Sequence, residues 1–488
     1  MSEEPEQTSR ESGGGDEEAD CEVDDAPHPF RDQGPWKDRV AFRGSDGTIL
    51  YPYRPHEVLT PEGERALQVA ICVFPGHHII LDEDTVGPAD FPFSRLTGVP
   101  DPLLLIDELT LRGIVAQVNH VYFAHSLYGN PVYGNPVYGN PVYGNPVYGN
   151  PVYGNAASGN AAEGPAALGF GNPPPPNVQY GTVLFGDKSN GTVHMMPNRS
   201  SALPKPDRVS DHEIAERIST PLNPGSPEVI VLDTGLAAPF YRPKVFNGTG
   251  VSAATVYDID RPDEDGDHYL DPTAGHGTFI AGVITQIAPG CKVTVHRVLT
   301  TFGDGDEWHI AHTIEHLVLN DPHRTILNLS FGGYVLDEPH LMMRTIKRIQ
   351  HKGVLVVASA GNDATSEPSY PAALQDVLAV GALSPTGPAY FTNFGTWVEA
   401  CAPGYDVLST FFHRFNGPAP NGPYGEDPDD FKGWALWSGT SFAAPAVVGN
   451  LARLMMGNSL STKHAVDRLI NNFSLTVIPQ LGTIVDFM

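Results

Sequence analysis

Short apolar runs recur through the second half of the chain. They are EVIVLDT (228–234), KVTVHRVL (292–299), TILNLSF (325–331), VLVVASA (354–360) and VLAVGAL (377–383). Segments with apolar residues at helical spacing, such as 305–319 and 338–350, lie between several of these runs. This alternation predicts an α/β domain over 211–488, with a mostly parallel sheet and helices on both faces. In such sheets an active site is expected at the carboxyl ends of the strands.

A different pattern precedes this region. Residues 41–125 contain the apolar run ALQVAICVF, the helix-like segment PLLLIDELTLRGI and the strand-like segment QVNHVYFAH. Mixed helical and alternating spacing over about 85 residues predicts a small α+β domain. Its last apolar run, HVYFAH, is extended enough in pattern to serve as an edge strand.

Two low-complexity segments complete the chain. Residues 1–40 are acidic and rich in Gly and Ser, which predicts a disordered tail. Within 126–210, residues 127–155 repeat the unit YGNPV, and a Gly/Pro-rich stretch follows. Because proline removes a backbone donor every five residues and Gly-Asn favours turns, we expect a linker there. The tyrosines leave open the alternative of a binding tract.

Composition narrows the function classes. The 488 residues include 57 acidic and 29 basic side chains, for a net charge of −28, which argues against nucleic-acid partners. We expect no transmembrane segment, since no stretch of about 18 apolar residues occurs. The acidic N-terminus lacks the features of a signal peptide, which predicts a cytoplasmic location, with export by a non-Sec route as the alternative. The four cysteines form no CxxC pair, and we expect a monomer.

Three short blocks carry residues of catalytic type. Asp233 ends an apolar strand in VLDTG, His276 opens a small-residue segment in GHGTFIAG, and Ser441 precedes an apolar helix in SGTSFAAP. Each alone is ordinary as a turn, loop or N-cap residue. Together they supply a nucleophile, a base and a carboxylate that holds the base in one tautomer.

A fourth block adds an oxyanion donor. VVASAGND ends another apolar run with Asn362, whose side-chain amide is a neutral donor. The backbone N–H of Ser441, at a helix N-terminus, is expected to be the second donor.

These four blocks resemble the subtilisin-like serine protease family over roughly 225–488. The resemblance implies a subtilisin-like fold, with Asp233 as orienting acid, His276 as general base, Asn362 as oxyanion donor and Ser441 as nucleophile. It also implies two walls of a substrate cleft. Their residues are Ser330, Phe331, Gly332 and Gly333 on one side and Ser359, Ala360 and Gly361 on the other. The small residues in these walls suggest an open pocket for medium or large apolar side chains.

Metal ligands find less support. Asp263, Asp265, Asp267 and Asp271 could ligate calcium, which many subtilases bind, but their spacing fails the EF-hand template. We therefore expect a solvated acidic loop and no required cofactor. His309, His312 and His316 share one face of a predicted helix, and a solvated polar face is the ordinary explanation. We assign no metal there.

The sequence thus predicts a serine endopeptidase that acts on peptides or proteins. Transpeptidation or peptide cyclisation by the same residues, and a non-catalytic scaffold, stay open as alternatives. By position, the 41–125 domain is expected to be propeptide-like or a permanent regulatory domain, with its HVYFAH run in the cleft. Self-cleavage is expected in the exposed repeat or spacer.

Overall fold

The computed structural model describes most of both predicted domains. It covers residues 41–45, 49–87, 92–126, 211–264, 266, 270–335, 339–413, 415–416, 428–429, 431, 433–471 and 476–486. The predicted acidic tail and residues 127–210 of the predicted linker lie outside the described residues.

The first unit alternates strands and helices in the order ββαββαβ. Its elements are β1 (Ala41–Ser45), β2 (Ile49–Thr60), α1 (Gly63–Val73), β3 (Ile80–Val86), β4 (Phe93–Thr97), α2 (Pro102–Leu111) and β5 (Gln117–Ala124). Helix α2 begins where the Asp101 carboxylate accepts a hydrogen bond from the Leu104 N–H, and Pro102 fits its first position. Both helices bury apolar residues such as Ala66, Ala70 and Leu105 against Val58 and Leu96 of the sheet. The unit therefore has a small core of its own.

The second unit contains the remaining elements. They are α3 (Asp211–Ile218), β6 (Glu228–Asp233), β7 (Leu236–Ala237), β8 (Val251–Ala253), β9 (Ile259–Asp260), α4 (His276–Ile287), β10 (Lys292–Arg297), β11 (Asp304–Asp306), α5 (Glu307–Glu315), β12 (Thr325–Leu329), β13 (Phe331–Gly332), α6 (His340–His351), β14 (Leu355–Ser359), β15 (Leu378–Ser384), β16 (Gly387–Pro388), β17 (Ala400–Pro403), β18 (Val407–Thr410), β19 (Phe415–Asn416), β20 (Pro428–Asp429), β21 (Trp434–Trp437), α7 (Thr440–Asn458), α8 (Thr462–Leu469), β22 (Val477–Ile478) and β23 (Gly482–Ile484).

A ten-stranded sheet forms the centre of this second unit. Its order is β22-β23-β17-β15-β14-β12-β6-β10-β8, with β16 paired to β15, and the pairs from β8 to β17 along this order are parallel. Side chains of β6 alternate between the two faces, because successive strand residues point in opposite directions. Val229 and Val231 pack in the core beneath α4 and α7, while Ile230 and Leu232 pack in the core beneath α5 and α6. The predicted α/β fold with helices on both faces is confirmed.

Helix α5 is shorter than its apolar spacing predicted. It ends at Glu315, so Leu317 of the predicted 305–319 segment lies beyond it. Its start is fixed by the Asp306 carboxylate, which accepts a hydrogen bond from the His309 N–H.

The two units share a second sheet of seven strands. Its order is β11-β5-β2-β4-β3, with β1 on β2 and β13 on β5. Strand β5 of the first unit pairs antiparallel with β11 and β13 of the second. The end of β5 thus lies between two strands of the second unit. Among the described helices, none combines the length and apolar character needed to cross a membrane.

Candidate active site

Asp233 and His276 meet at the carboxyl end of β6. Asp233 is the last residue of that strand, and His276 is the first residue of α4. His276 Nδ1 lies 2.7 Å from Asp233 Oδ1, which also accepts a hydrogen bond from the Thr234 N–H at 2.8 Å. Both side chains are fully buried. A carboxylate on Nδ1 orients the ring and leaves Nε2 as the basic nitrogen.

Ser441 lies in the first turn of α7, in the same buried region. Its hydroxyl donates to the Ser330 carbonyl at 2.8 Å. Among the described residues, His276 Nε2 has no hydrogen-bond partner. The hydroxyl therefore bonds to the Ser330 carbonyl and not to His276 Nε2.

The third group is a backbone carbonyl of the first unit. The His125 carbonyl oxygen accepts a hydrogen bond from Asn362 Nδ2 at 2.6 Å and one from the Ser441 N–H at 3.2 Å. Asn362 Oδ1 accepts from both the N–H and the hydroxyl of Thr440, each at 2.9 Å. Since an amide oxygen accepts and its nitrogen donates, these contacts fix Nδ2 toward His125. Two convergent donors on one carbonyl are the geometry of an oxyanion hole.

Strand pairing holds this carbonyl in position. On one side of β5, Ala124 pairs with Phe331 and Phe123 with Gly332. On the other side, Phe123 pairs with Asp304, and the Ala124 N–H donates to the Gly303 carbonyl at 2.8 Å. The His125 N–H donates to the Ser330 carbonyl at 3.2 Å. The segment before Ser126 is thus bound as an extended peptide is bound by strand addition.

The His125 side chain fills a pocket between the two predicted walls. Its Nδ1 lies 2.7 Å from Ser359 Oγ, and the residue is 1% exposed. A Cβ at Gly332 would lie 2.6 Å from His125 Cε1, and one at Gly439 would lie 2.3 Å from the His125 carbonyl oxygen. Glycine at these two positions permits the close approach of the segment. Burial lowers the pKa of His125 to about 3, against hydrogen bonds with the backbone at Ser359 and Gly332 that raise it.

The remaining predicted binding residues shape the walls. Gly333 exchanges two backbone hydrogen bonds with Tyr370. The N–H of Ala360 donates to the Val380 carbonyl, and the N–H of Gly361 donates to the Thr440 hydroxyl. These backbone groups bond within the second unit, so they fix the wall that Ser359 and Asn362 line.

Several residues at the site had no place in the sequence interpretation. Asn393 supports the pocket wall, because its amide nitrogen donates to the Ala360 carbonyl at 3.0 Å and its oxygen accepts from the Asp363 N–H. Thr440 orients Asn362, and its place between Gly439 and Ser441 was a signal for it. His125 was inside the predicted edge strand, but nothing local singled it out.

Asp260 is a second buried carboxyl near the Asp233–His276 pair. Its Oδ2 accepts from the Thr234 hydroxyl at 2.6 Å and from the Gly275 N–H at 2.9 Å. Burial raises the pKa of Asp260 to about 7, although these hydrogen bonds lower it. Asp260 therefore ties together the residues that follow Asp233 and precede His276.

Among the described residues, the structure adds no ligand to either candidate metal cluster, the acidic loop or the histidine face. Among the described residues, no group of three or more His, Cys, Asp or Glu side chains could hold a metal ion. Asp265 and Asp267 lie outside the described residues, and the Asp271 carboxylate accepts from the Glu264 N–H and the Thr301 hydroxyl. In the histidine cluster, the rings of His312 and His316 stack with centroids 4.2 Å apart.

Comparison with known proteins decides the family. Residues 226–480 match the model of the subtilase family, Peptidase_S8, which is slightly more than half of the chain. The chain belongs to the subtilase family. Within this subtilase, the matched region begins just before β6 and contains Asp233, His276, Asn362 and Ser441.

Similar curated proteins include two proteases. The thermophilic serine proteinase of Bacillus sp. (strain AK1) is 29% identical over 265 residues, or 51% of this chain and 57% of that protein. Subtilisin-like protease 5 of Trichophyton tonsurans is 31% identical over 254 residues, or 49% of this chain and 55% of that protein. The chain thus spans a little over half the length of these relatives.

Among solved structures, the prenylagaramide maturation protease PagA is similar at 23% identity. The match covers 56% of this chain and 94% of that one, with a TM-score of 0.41.

Proposed function

We propose that this subtilase is a serine endopeptidase whose first substrate is its own chain. The observation that carries the proposal is the pair of hydrogen bonds that the His125 carbonyl accepts from Asn362 and Ser441. These donors polarise the carbonyl and hold the negative charge that forms on its oxygen during attack. Peptidase membership of the family and the buried Asp233–His276 pair support the same assignment.

The reaction follows from the roles of these groups. The Ser441 hydroxyl rotates from the Ser330 carbonyl toward His276 Nε2, gives up its proton and attacks the His125 carbonyl carbon. His276 then donates that proton to the amine of Ser126 as the peptide bond breaks. Water, deprotonated by His276, releases the acyl group from Ser441 Oγ as the His125 carboxylate.

We propose that the 41–125 segment acts as an inhibitory propeptide-like unit. Strand β5 occupies both edges of the cleft, and the His125 carbonyl occupies the oxyanion donors that any other substrate needs. The bond proposed for cleavage is therefore His125–Ser126, just before the YGNPV repeat rather than within it.

Intact mass and labelling test the proposal together. The purified full chain, its Ser441→Ala variant and a Ser384→Ala control are incubated and analysed by mass spectrometry. Separate samples are treated with a fluorophosphonate after the first unit has been displaced by mild denaturant. We expect the wild type and the control to yield fragments ending at His125 and starting at Ser126, and to be labelled on Ser441. The Ser441→Ala chain is expected to remain whole and unlabelled.

The outcomes separate the two parts of the proposal. A wild type that is labelled on Ser441 but stays whole would retain the peptidase assignment and remove the self-cleavage. A wild type that is neither labelled nor cleaved would remove both.

A further inference from the structure

The pocket that holds His125 is built around one polar side chain. Ser359 lies at the end of β14 and is fully buried. Its hydroxyl makes a 2.7 Å hydrogen bond with His125 Nδ1. Gly332 faces the ring from the other wall, so close that a Cβ there would lie 2.6 Å from Cε1. The pocket thus presents a flat slot with a hydroxyl at one edge.

The charge of the ring is also constrained. Burial lowers the pKa of His125 to about 3, the backbone at Ser359 and Gly332 raises it, and the nearby His276 lowers it further. The pocket therefore accepts the neutral imidazole and disfavours a cation.

We propose that Ser359 is a specificity-determining residue that makes this pocket select a histidine side chain immediately before the cleaved bond. The inference rests on the proposed peptidase function and names its substrate class: extended peptides in which a histidine precedes the scissile bond. This proposal differs from the sequence-based expectation, in which the small wall residues suggested a pocket for apolar side chains.

The selection has a physical basis in the cost of leaving Ser359 unpaired. A leucine or phenylalanine of suitable size would bury the hydroxyl without a partner, whereas histidine satisfies it. Lysine or arginine would bring a charge into a pocket where burial already disfavours the charged form of the His125 ring. Glutamine offers a polar group but not the planar ring that the slot between Ser359 and Gly332 fits.

The test measures self-cleavage as a function of residue 125. Full chains with His125, His125→Phe, His125→Leu, His125→Gln or His125→Lys are made by cell-free translation, and the fraction with a new Ser126 terminus is followed over time. The series is repeated with Ser359→Ala and with Ser384→Ala as a matched control. Fluorophosphonate labelling of Ser441 in every chain, after the first unit has been displaced by mild denaturant, reports whether the site has folded.

We expect His125 chains to be cleaved about tenfold faster than the Phe and Leu variants, the discrimination of roughly one hydrogen bond. Ser359→Ala is expected to reduce this ratio to about threefold or less by slowing the His125 chain, while the rate of the Phe variant stays the same or rises. Ser384→Ala is expected to keep the full ratio.

Two results would overturn the inference while leaving the peptidase assignment in place. One is labelled chains that are cleaved at equal rates whatever residue stands at 125, or with a ratio that survives Ser359→Ala. The other is chains that are labelled but never cleaved after residue 125. Chains that are neither labelled nor cleaved would instead overturn the proposed function itself.

Discussion

The first unit contacts the second in two chemically different places. At the cleft, the end of β5 is held mostly through its backbone, and burial lowers the pKa of the His125 side chain that follows it, which keeps the ring neutral. A second contact is made with the side chains of three buried acids, Asp304 and Asp306 of β11 and Glu307 at the start of α5, which we call the acidic shoulder. The first contact pairs backbone with backbone, and the second is made by charged and polar side chains.

Ion pairing dominates one part of the acidic shoulder. Arg54 Nη2 lies 2.9 Å from Asp304 Oδ2, and Arg54 Nε lies 3.4 Å from Asp306 Oδ2. Burial lowers the pKa of Arg54, but the charges of Asp304, Asp306 and Glu57 raise it by more, so the guanidinium stays charged. Burial raises the pKa of Asp306, but Arg54 and His309 lower it by more.

Polar side chains of β5 complete the shoulder by bonding to the starts of two helices. Asn119 Oδ1 accepts from the Trp308 N–H of α5 at 3.0 Å, and Gln117 Oε1 accepts from the Leu341 N–H of α6 at 3.2 Å. Glu307 Oε2 accepts a hydrogen bond from Gln117 Nε2 at 2.8 Å. One N–H group at the start of each helix is thus satisfied from the first unit.

Because the two contacts differ, cleavage of the chain and release of the first unit are expected to be separate events. The proposed cleavage after His125 would change the covalent chain at the cleft but none of the shoulder contacts. We therefore expect the cleaved first unit to stay bound through the shoulder contacts.

Removing Arg54 is expected to have the largest effect on the shoulder. Arg54→Ala leaves Asp304 and Asp306 buried without their cation, at a cost of about 3–5 kcal/mol. The cleaved first unit should then separate from the second on size-exclusion chromatography, and a Ser441→Ala chain carrying the same change should unfold at lower temperature. Arg65→Ala is the matched control, because Arg65 pairs with Glu62 on the surface and its side chain is 60% exposed. If Arg54→Ala changed neither the association of the two units on size-exclusion chromatography nor the unfolding temperature, the shoulder would not be what holds the cleaved first unit.

Removing the Asn362 amide is expected to slow cutting without loosening the shoulder. Asn362→Ala takes away one of two donors to the His125 carbonyl, which should reduce the self-cleavage rate by about 10²–10³-fold. The rate is measured from the appearance of the Ser126 terminus, with Asn458→Ala at the far end of α7 as control. A loss below threefold would contradict the role of Asn362 as an oxyanion donor.

Acid is expected to loosen the cleft contact by the smallest factor. The bound pKa of His125 is about 3 and lies below the ordinary value, so the binding it contributes is complete above about pH 6.5. That contribution falls as protons favour the released ring, and it levels off below about pH 3. Between about pH 7 and pH 5, inhibition of the processed enzyme by the peptide VYFAH should weaken about 25-fold.

The control for this pH effect is the same peptide with glutamine in place of histidine. Because glutamine does not titrate, its inhibition constant should change much less over the same interval. Equal weakening of both peptides would locate the pH dependence elsewhere in the site.

The sequence predicted the parts of this molecule that depend on local pattern. The run 228–234 became β6 because continuous apolar residues fit a strand buried on both faces, and the blocks around Asp233, His276, Asn362 and Ser441 converge at one end of the sheet. What it missed depends on pairing between distant residues. The His125–Ser359 bond spans 234 positions, and the Arg54–Asp304 bond spans 250. No spacing rule links such residues, and the raised pKa of Asp260 follows from burial that only the fold creates.

The pairing of β5 with β11 and β13 has a consequence for the kind of backbone that the cleft can hold. A ligand that must supply backbone donors and acceptors to strands on both sides can do so only where its own backbone is free of other partners. Helices and inner strands of a folded protein fail that requirement. The cleft therefore fits an extended backbone whose N–H and C=O groups are free on both sides.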